Sequence, residues 1–381
     1  MDLSYTLEED AFRTKVRQWI ADNAPKGEDR RDLDGMRAWQ RRLHQAGYLG
    51  AGWPKEYGGA GLSPMEQAIL NEELARANAP GPINAMAIWW VGPAIIRYGT
   101  EEQKKRFLGP ILNAEEIWAT GYSEPGSGSD MAAAKCKAER DGDDYVVNGQ
   151  KVWTTLAHIS DWYFVLVRTS SEGKKWAGLS LLLMDLKSPG VEIRPIKQIT
   201  GDCEFNEVFM HDVRVPVTNR LGAEGQGWEI VSSALINERS GIAGSIRADQ
   251  TMERLVHLAH KRGASIDPLW RQRLGDLAIK AQITKAFGLR AMSDQLHGRI
   301  NIHMSAAMKL FSTELSQRFS ETGVDMLGAY GELWEGSHRT PDHGRWHYQF
   351  LYDRSMTIAG GTSEVQRNIV AQRVLGLPRG T

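Results

Sequence analysis

The segments Tyr122–Asp130 (YSEPGSGSD) and Asn148–Thr155 (NGQKVWTT) decide how this chain of 381 residues is interpreted. The first is predicted to be a Gly/Ser loop, rich in backbone N–H and hydroxyl donors, with nothing bulky in its Gly-Ser-Gly-Ser part to block a ligand. The second is predicted to be an Asn-Gly turn that leads directly into a strand carrying Trp153 and Thr155. Small donors suit a polar ring edge and phosphates, and an indole offers a flat surface for stacking. Together the two segments predict a flavin site.

Each segment also has a simpler interpretation. The glycines of the first segment could serve only as turn residues, and Trp153 could be ordinary packing in a β-barrel. The Gly-x-Gly pattern is not a dinucleotide-binding fingerprint, because strand-like residues follow it where that fingerprint requires a helix. The occurrence of both segments in one chain favours the flavin interpretation.

Bulk properties exclude several classes of protein. A net charge of −1 and a pI of about 6.8 give no footprint for nucleic acid or an anionic membrane. No apolar run approaches the roughly 18 residues of a membrane span, and the acidic N-terminus does not resemble a signal peptide. Cys136 and Cys203 are the only cysteines. We therefore expect reduced thiols in a cytoplasmic protein.

Three histidines, His338, His343 and His347, lie close together in the sequence near the C-terminus. His343 and His347 have the four-residue spacing of a helical metal pair, but neighbouring glycine and proline residues favour a loop. No metal is predicted. We expect a substrate-facing loop over Gly331–Tyr348 that presents Trp334 and Trp346.

The order of helical and strand-like patterns predicts three domains of an α+β protein. Residues 1–118 are predicted to be helical, residues 119–222 a β-barrel, and residues 223–381 helical again. A capping box, Thr6 with Glu9, predicts the first helix start. Further helices are predicted at Met36–Ala46, Pro64–Arg76, Glu101–Leu112, Trp228–Lys261, Pro268–Leu296, Ile302–Thr322 and Thr362–Leu375. Strands are predicted at Tyr145–Val147, Trp162–Val167, Leu179–Met184, Val191–Ile193 and Cys203–Met210, divided by turns at Asp141-Gly142, Asn148-Gly149 and Pro189-Gly190.

At these residues the chain resembles the acyl-CoA dehydrogenase family over almost its full length. The motifs that carry the resemblance besides the first two are Gly52–Pro54 (GWP), Tyr57–Gly59 (YGG), Val213–Pro216 (VRVP), Gly225–Trp228 (GQGW) and Gly360–Arg367 (GGTSEVQR). The resemblance implies a helical N-terminal domain, a middle β-barrel and a C-terminal four-helix bundle. It also implies FAD, an acyl-CoA thioester substrate in lipid β-oxidation, and a dimer or tetramer of like or unlike chains. Electrons would pass to an electron-transfer flavoprotein or similar acceptor.

The resemblance assigns roles to individual residues. Tyr122 and Ser123 would contact the flavin ring, Ser129 the phosphates or the thioester, and Trp153 and Thr155 the isoalloxazine. The remaining positions that would contact FAD are Gly128, Gly328, Thr362 and Glu364.

The catalytic base is displaced from its usual position. Removing a proton next to a thioester carbonyl needs a carboxylate in dry surroundings, and most of the family places a glutamate where this chain has Gly360. Some branches use an acid on the first helix after the barrel, and here Glu238-Arg239 follows an apolar stretch. We predict Glu238 as the base, Arg239 as a substrate contact and the Gly360 N–H as a donor to the thioester oxygen. The alternative for Glu238 is an ion pair with a neighbouring arginine on a solvated helix face. Glu364 is the rival candidate for the base.

Two departures from the family pattern keep other functions open. Lys261–Pro268 lacks the usual Arg-x-x-Phe-Gly, and Asp325 stands where a glutamine is usual, which is unfavourable near a pyrophosphate unless its charge is screened. A structural or half-site subunit of a mixed tetramer is therefore one alternative. A flavin oxidase or monooxygenase on the same fold is another.

Overall fold

The computed structural model describes residues 5–27, 32–237, 242–297, 304–334 and 336–378, with only the backbone described at 235–237, 242–245 and 295–296. Its helices are α1 (Leu7–Asn23), α2 (Leu33–Gln45), α3 (Pro64–Arg76), α4 (Gly92–Tyr98), α5 (Glu101–Leu112), α6 (Gly227–Asn237), α7 (Ile242–Lys261), α8 (Pro268–Leu296), α9 (Met304–Leu327), α10 (Arg345–Met356) and α11 (Ser363–Ile369). Its strands are β1 (Trp118–Gly121), β2 (Lys137–Asp141), β3 (Asp144–Thr155), β4 (Trp162–Arg168), β5 (Leu179–Asp185), β6 (Val191–Ile196), β7 (Phe205–Pro216) and β8 (Arg220–Leu221).

These elements form two compact units. One unit comprises residues 21–63 and 79–238, and so contains the sheet with α2, α4, α5 and α6. The other comprises residues 1–20, 64–78 and 239–381, and so contains α3, α7–α11 and most of α1. The predicted order of helical, sheet and helical segments along the chain is confirmed. Within the described residues, no helix has the length and apolar character that a bilayer crossing requires.

The sheet unit is built on eight strands in the order β6-β7-β3-β2-β4-β5-β8, with β1 parallel to β4. One apolar core lies on its inner side, to which β3 contributes Tyr145 and Val147 and β4 contributes Tyr163 and Val165. Strands β4 and β5 are apolar on both faces, and six of the seven residues of β5 are buried. A strand buried on both sides reads as a continuous apolar run, which explains why the sequence predicted both strands closely.

The predicted turn at Asn148-Gly149 is wrong, because β3 runs unbroken through it for 12 residues. The register with β7 shifts between Val147 and Gly149, where β7 has two residues opposite Asn148, so the pair lies opposite a bulge in β7 and not at a turn. A Cβ on Gly149 would lie 2.9 Å from the sulfur of buried Cys136. This glycine is therefore required for close packing, which the sequence pattern alone does not distinguish from a hairpin turn.

The predicted loop at Gly331–Tyr348 is wrong at its C-terminal end, because α10 begins at Arg345. Trp346 is only 2% exposed and belongs to the core of the helical unit, so it does not face a substrate. Its ring lies against Gly323 of α9, where an added Cβ would be 2.2 Å from the indole. Trp334, in contrast, is 46% exposed.

A buried carboxylate joins α1 to α3 in the helical unit. Glu73 is 2% exposed, and its two oxygens accept hydrogen bonds from Nε of Arg13 and Nε of Arg17, both at 2.8 Å. Burial acts to raise the pKa of Glu73, but the hydrogen bonds and charges of the two arginines outweigh it and leave the pKa lowered. The first helix is thus fixed to the unit by charge as well as by apolar packing.

Replacing this carboxylate should destabilise the protein measurably. We expect Glu73→Gln to lower the free energy of unfolding by about 2 kcal/mol, since it removes charged hydrogen bonds to a buried group. Glu321→Gln is the matched control, because Glu321 and Arg354 form a 2.9 Å pair with both side chains more than a third exposed. That variant should lose less than about 1 kcal/mol. Urea unfolding curves measure both, and equal losses in the two variants would contradict the assignment.

The effect of Glu73→Gln should also depend on pH. A carboxylate with a lowered pKa in the folded state contributes stability that is fully present above its unfolded value of 4.5 and is lost as the pH falls through the folded value. The difference between wild type and variant should therefore shrink below about pH 4.5. Unfolding curves at neutral and acid pH test this, and a constant difference would argue against the ionic role.

Candidate active site

The Tyr122–Asp130 segment forms a tight, hydrogen-bonded loop at the surface of the sheet unit. Glu124 and Ser127 exchange two backbone hydrogen bonds of 3.0 Å, and the Ser127 hydroxyl donates to the carbonyl of Asp130 at 2.7 Å. Beyond this turn, Gly128 and Ser129 are exposed. No protein atom lies within 4 Å of a Cβ built on Gly128. The loop therefore presents backbone and hydroxyl groups to open space.

An ion pair lies directly beneath this loop. Lys151 of β3 has no solvent exposure, and its Nζ donates to Glu124 Oε1 at 2.9 Å and to the carbonyl of Tyr122 at 3.1 Å. The same carboxylate accepts the backbone N–H groups of Lys135 and Cys136 at 2.7 and 2.8 Å. Burial acts to raise the pKa of Glu124, but the Lys151 charge and these N–H donors lower it overall. Glu124 is therefore a stable carboxylate.

A bulge in β3 itself presents the predicted indole. Between Lys151, which pairs with Val208, and Thr154, which pairs with Asn206, β3 has two residues opposite one residue of β7. The bulge reverses the alternation of the strand, so Thr154 is buried and Trp153 is 58% exposed. Trp153 has a φ of +62°, a left-handed conformation that is unfavourable for a bulky residue. Such strain, retained at an exposed aromatic residue, is typical of functional positions.

The other predicted flavin contacts of this unit flank the bulge. The N–H of Val152 donates to the carbonyl of Ser123 at 3.0 Å, so the loop lies against β3 next to Trp153. Thr155 is half-buried and pairs with Phe205, whose ring makes an edge contact with Trp153 at 6.2 Å between centroids. The ring of Tyr122 is half-buried and contacts the ring of Phe164 edge-on.

The chemistry of this surface fits a flavin nucleotide. Six predicted contacts share one unit, all on the loop or on the second half of β3: Tyr122, Ser123, Gly128, Ser129, Trp153 and Thr155. Exposed hydroxyl and backbone donors suit phosphates and a polar ring edge, and a half-exposed indole suits an aromatic ring.

The Gly360–Arg367 motif belongs to the helical unit. Gly360 and Gly361 have φ values of +66° and +97°, and Thr362 caps α11 by accepting the N–H of Val365 at 3.2 Å. Buried Gln366 donates from Nε2 to the carbonyl of Gly360 at 3.1 Å and to that of Gly361 at 3.3 Å. Because the two carbonyl oxygens are engaged from within, the glycine peptides have fixed orientations.

The rival acid, Glu364, lies in the first turn of α11 and is exposed. Its own backbone N–H and the Thr362 hydroxyl lower its pKa. A general base for an α proton needs the opposite shift, toward the working pH. The surroundings of Glu364 therefore favour a structural or cofactor-contacting role.

The unfavourable acid at position 325 is screened. Asp325 Oδ2 accepts a hydrogen bond from Nη2 of Arg273 at 2.7 Å. Nearby, Arg262 donates to the carbonyl of Leu327 at 3.3 Å and lies 5.2 Å from the centroid of the Tyr330 ring. Positive charge therefore surrounds the turn that begins at Gly328, which has a φ of +55°.

Two predicted residues lie outside the described part of the chain. Glu238 and Arg239 fall between α6, which ends at Asn237, and α7, which begins at Ile242. On α6 itself, Val231 and Ala234 are almost completely buried.

Sequence reasoning missed three residues that organise these segments, namely Glu124, Lys151 and Gln366. A signal existed for the lysine, since Tyr145, Val147 and Lys151 share the inward parity of β3. A charge predicted to face a core requires a buried partner. No comparable pattern in the sequence indicates Gln366.

Comparison with known proteins identifies the family of the chain. Residues 6–115, 119–213 and 225–375 match the N-terminal, middle and C-terminal domains of acyl-CoA dehydrogenase, respectively. Acyl-CoA dehydrogenase IpdE1 of Mycolicibacterium smegmatis is 41% identical, over 98% of this chain and 99% of its own length. Two solved structures match over 100% of both chains: the Tcur3481-Tcur3483 steroid ACAD (TM-score 0.90, 31% identity) and the ChsE4-ChsE5 complex of Mycobacterium tuberculosis (TM-score 0.88, 34% identity).

The site and these matches define a flavoprotein oxidoreductase. The chain belongs to the acyl-CoA dehydrogenase family. It is an FAD-dependent enzyme that acts on acyl-CoA, which confirms the predicted class of enzyme and the predicted cofactor.

A substitution can test whether the strained backbone at Trp153 serves to present an indole to the flavin. Asparagine tolerates the left-handed region, so we expect Trp153→Asn to keep the free energy of unfolding of the apo-protein within about 1 kcal/mol of wild type. The same change should increase the fluorescence of bound FAD, because a stacked indole quenches it. Trp176→Asn is the control, since Trp176 is 47% exposed in the same unit. Equal flavin fluorescence in the two variants would rule out stacking on Trp153.

Proposed function

We propose that this chain catalyses α,β-dehydrogenation of an acyl-CoA thioester to a 2,3-enoyl-CoA. The observation that carries the proposal is the exposed Trp153 indole, on a strained bulge beside the donor-rich loop. Bound FAD would lie on the loop and on Trp153 and Thr155, with Thr362, Glu364 and Gly328 as further contacts, and would accept the hydride from the β carbon. Ser129 and Arg239 would contact the substrate.

Residues of the chain itself would accept the α proton and polarise the thioester carbonyl. Glu238 takes the α proton onto its carboxylate, and the buried residues Val231 and Ala234 support dry surroundings for that acid. The N–H of Gly360 donates to the thioester oxygen and stabilises the negative charge that develops there. A backbone donor serves this purpose whatever side chain occupies the position, which explains how a glycine can replace the usual acid.

Removing the carboxylate should separate binding from chemistry. We expect Glu238→Gln to retain FAD and thioester binding, while anaerobic bleaching of the flavin by substrate slows at least about 100-fold because no base accepts the α proton. Stopped-flow absorbance measures the rate. Glu229→Gln in α6 is the matched control, because Glu229 accepts a hydrogen bond from Tyr98 at 3.2 Å and this variant is expected to leave the rate unchanged.

Glu364→Gln decides between the two acids. If bleaching stops in that variant but proceeds at the wild-type rate in Glu238→Gln, the base is Glu364 and the assignment above is wrong.

We further propose a bulky, polycyclic thioester as substrate and a mixed oligomer as the working assembly. Support comes from the two structural relatives. The Tcur3481-Tcur3483 protein is a steroid ACAD, and ChsE4-ChsE5 is a complex of two different chains; they are 31% and 34% identical to this chain, respectively. An electron-transfer flavoprotein or similar carrier would reoxidise the flavin.

The substrate proposal predicts a preference that can be measured directly. In anaerobic titrations with straight-chain, branched and steroid CoA thioesters, the steroid thioester should bleach the flavin fastest. The chain should be tested alone and together with a sister chain of the family. Fastest bleaching by a straight-chain thioester would contradict the substrate proposal, and full activity of a homo-oligomer would contradict the mixed assembly.

A further inference from the structure

The buried ion pair beneath the loop has no part in the chemistry proposed above. Lys151 has no exposed surface and Glu124 is 9% exposed. We propose that this pair is a positioning device, which fixes the Tyr122–Asp130 loop relative to the Trp153 indole so that both meet one flavin. The proposal rests on the placement of FAD against Trp153 given under the proposed function.

The pair connects three separate stretches of backbone. The lysine ammonium reaches the Tyr122 carbonyl at the start of the loop, and the glutamate accepts the N–H groups of Lys135 and Cys136, which follow the loop. The ion pair, with 2.9 Å between Lys151 Nζ and Glu124 Oε1, joins the start of the loop and the segment after it to β3. One pair of side chains therefore holds the beginning of the loop, the segment after it and the strand below it.

Three consecutive residues of β3 complete the connection to the ring site. Lys151 binds the loop through its side chain, and Val152 binds it through the N–H that donates to Ser123 at 3.0 Å. Trp153 then turns outward at a φ of +62°. The Trp153 indole is thus one residue from the N–H that holds Ser123 and two from the ammonium that holds Tyr122, so loss of the Lys151 bond is expected to shift the loop relative to the indole.

Stability alone does not explain a fully buried charge. Desolvating two ions is costly, and an apolar pair of similar volume is often equally stable in such a position. What an apolar pair cannot do is accept two backbone N–H groups and donate to a carbonyl at defined angles. The directional bonds are the property that distinguishes Lys151–Glu124 from ordinary core packing.

The test compares folding with flavin geometry in the full-length protein. Lys151→Met removes the ammonium, and Lys151→Met with Glu124→Gln removes both charges, so that the double variant folds even if the single variant leaves a damaging unpaired carboxylate. We expect the double variant to unfold at a similar temperature to wild type as apo-protein. Its Kd for FAD should rise roughly tenfold, the scale observed when a residue that orients a ligand-binding group is lost.

A second measurement separates positioning from a general loss of stability. At saturating FAD and well below the unfolding temperature, the residual fluorescence of the bound flavin should be higher in the double variant, because the indole no longer stacks in register. Arg214→Met is the control, since Arg214 pairs with Asp141 and Asp144 at the exposed surface of the same sheet. It should change neither the Kd nor the fluorescence.

The outcomes distinguish this inference from the function on which it depends. A folded double variant with the Kd and fluorescence of wild type overturns the positioning role while wild type still binds FAD and is bleached by a thioester. Wild-type protein that binds FAD without quenching its fluorescence, or is not bleached by any thioester, contradicts the proposed function itself.

Discussion

The reversal of side-chain alternation within β3 is the constraint on which the proposed flavin-binding surface depends. A strand alternates inward and outward with a period of two, and one extra residue exchanges the two faces for everything that follows. In β3 the exchange occurs at Val152 and Trp153, after Lys151 has pointed inward and before Thr154 does so. Without it, Trp153 would share the parity of Lys151 and lie in the core. The cost is a bulky residue in the left-handed region.

Two acids of the predicted site are stabilised in their ionised form. Glu124 and Glu364 both have surroundings that lower their pKa, the first through a buried ammonium and N–H donors and the second through the first turn of a helix. Such acids remain ionised and hold structure in place. A base for an α proton needs surroundings that favour the neutral form, so the surroundings of Glu124 and Glu364 argue against either acid as that base.

Sequence patterns predicted the elements whose apolar spacing is unambiguous. The bounds of α3, α5 and α8 agree with the prediction at both ends, and the capping box of Thr6 and Glu9 is present, with each side chain bonded to the other's N–H. The errors have different causes. Asn148-Gly149 carries a strong local turn signal, which tertiary packing against Cys136 overrides. The turn signal at Gly344 is genuine, with a φ of +77°, but α10 begins directly after it and buries Trp346 against Gly323. The three domain boundaries remain a prediction.

The sequence by itself determined the family and the cofactor and predicted the two segments that would meet it, because its motifs, with small donors and a neighbouring tryptophan, follow one another in the order that the family has. Only the tertiary structure decided how those segments are joined, since the partners of Lys151 are distant in sequence and a buried charge is recognised only when its surroundings are known. It likewise revealed that Arg273 screens Asp325 across 52 residues of chain. Contacts of that kind depend on how helices and strands pack, and no local pattern encodes them.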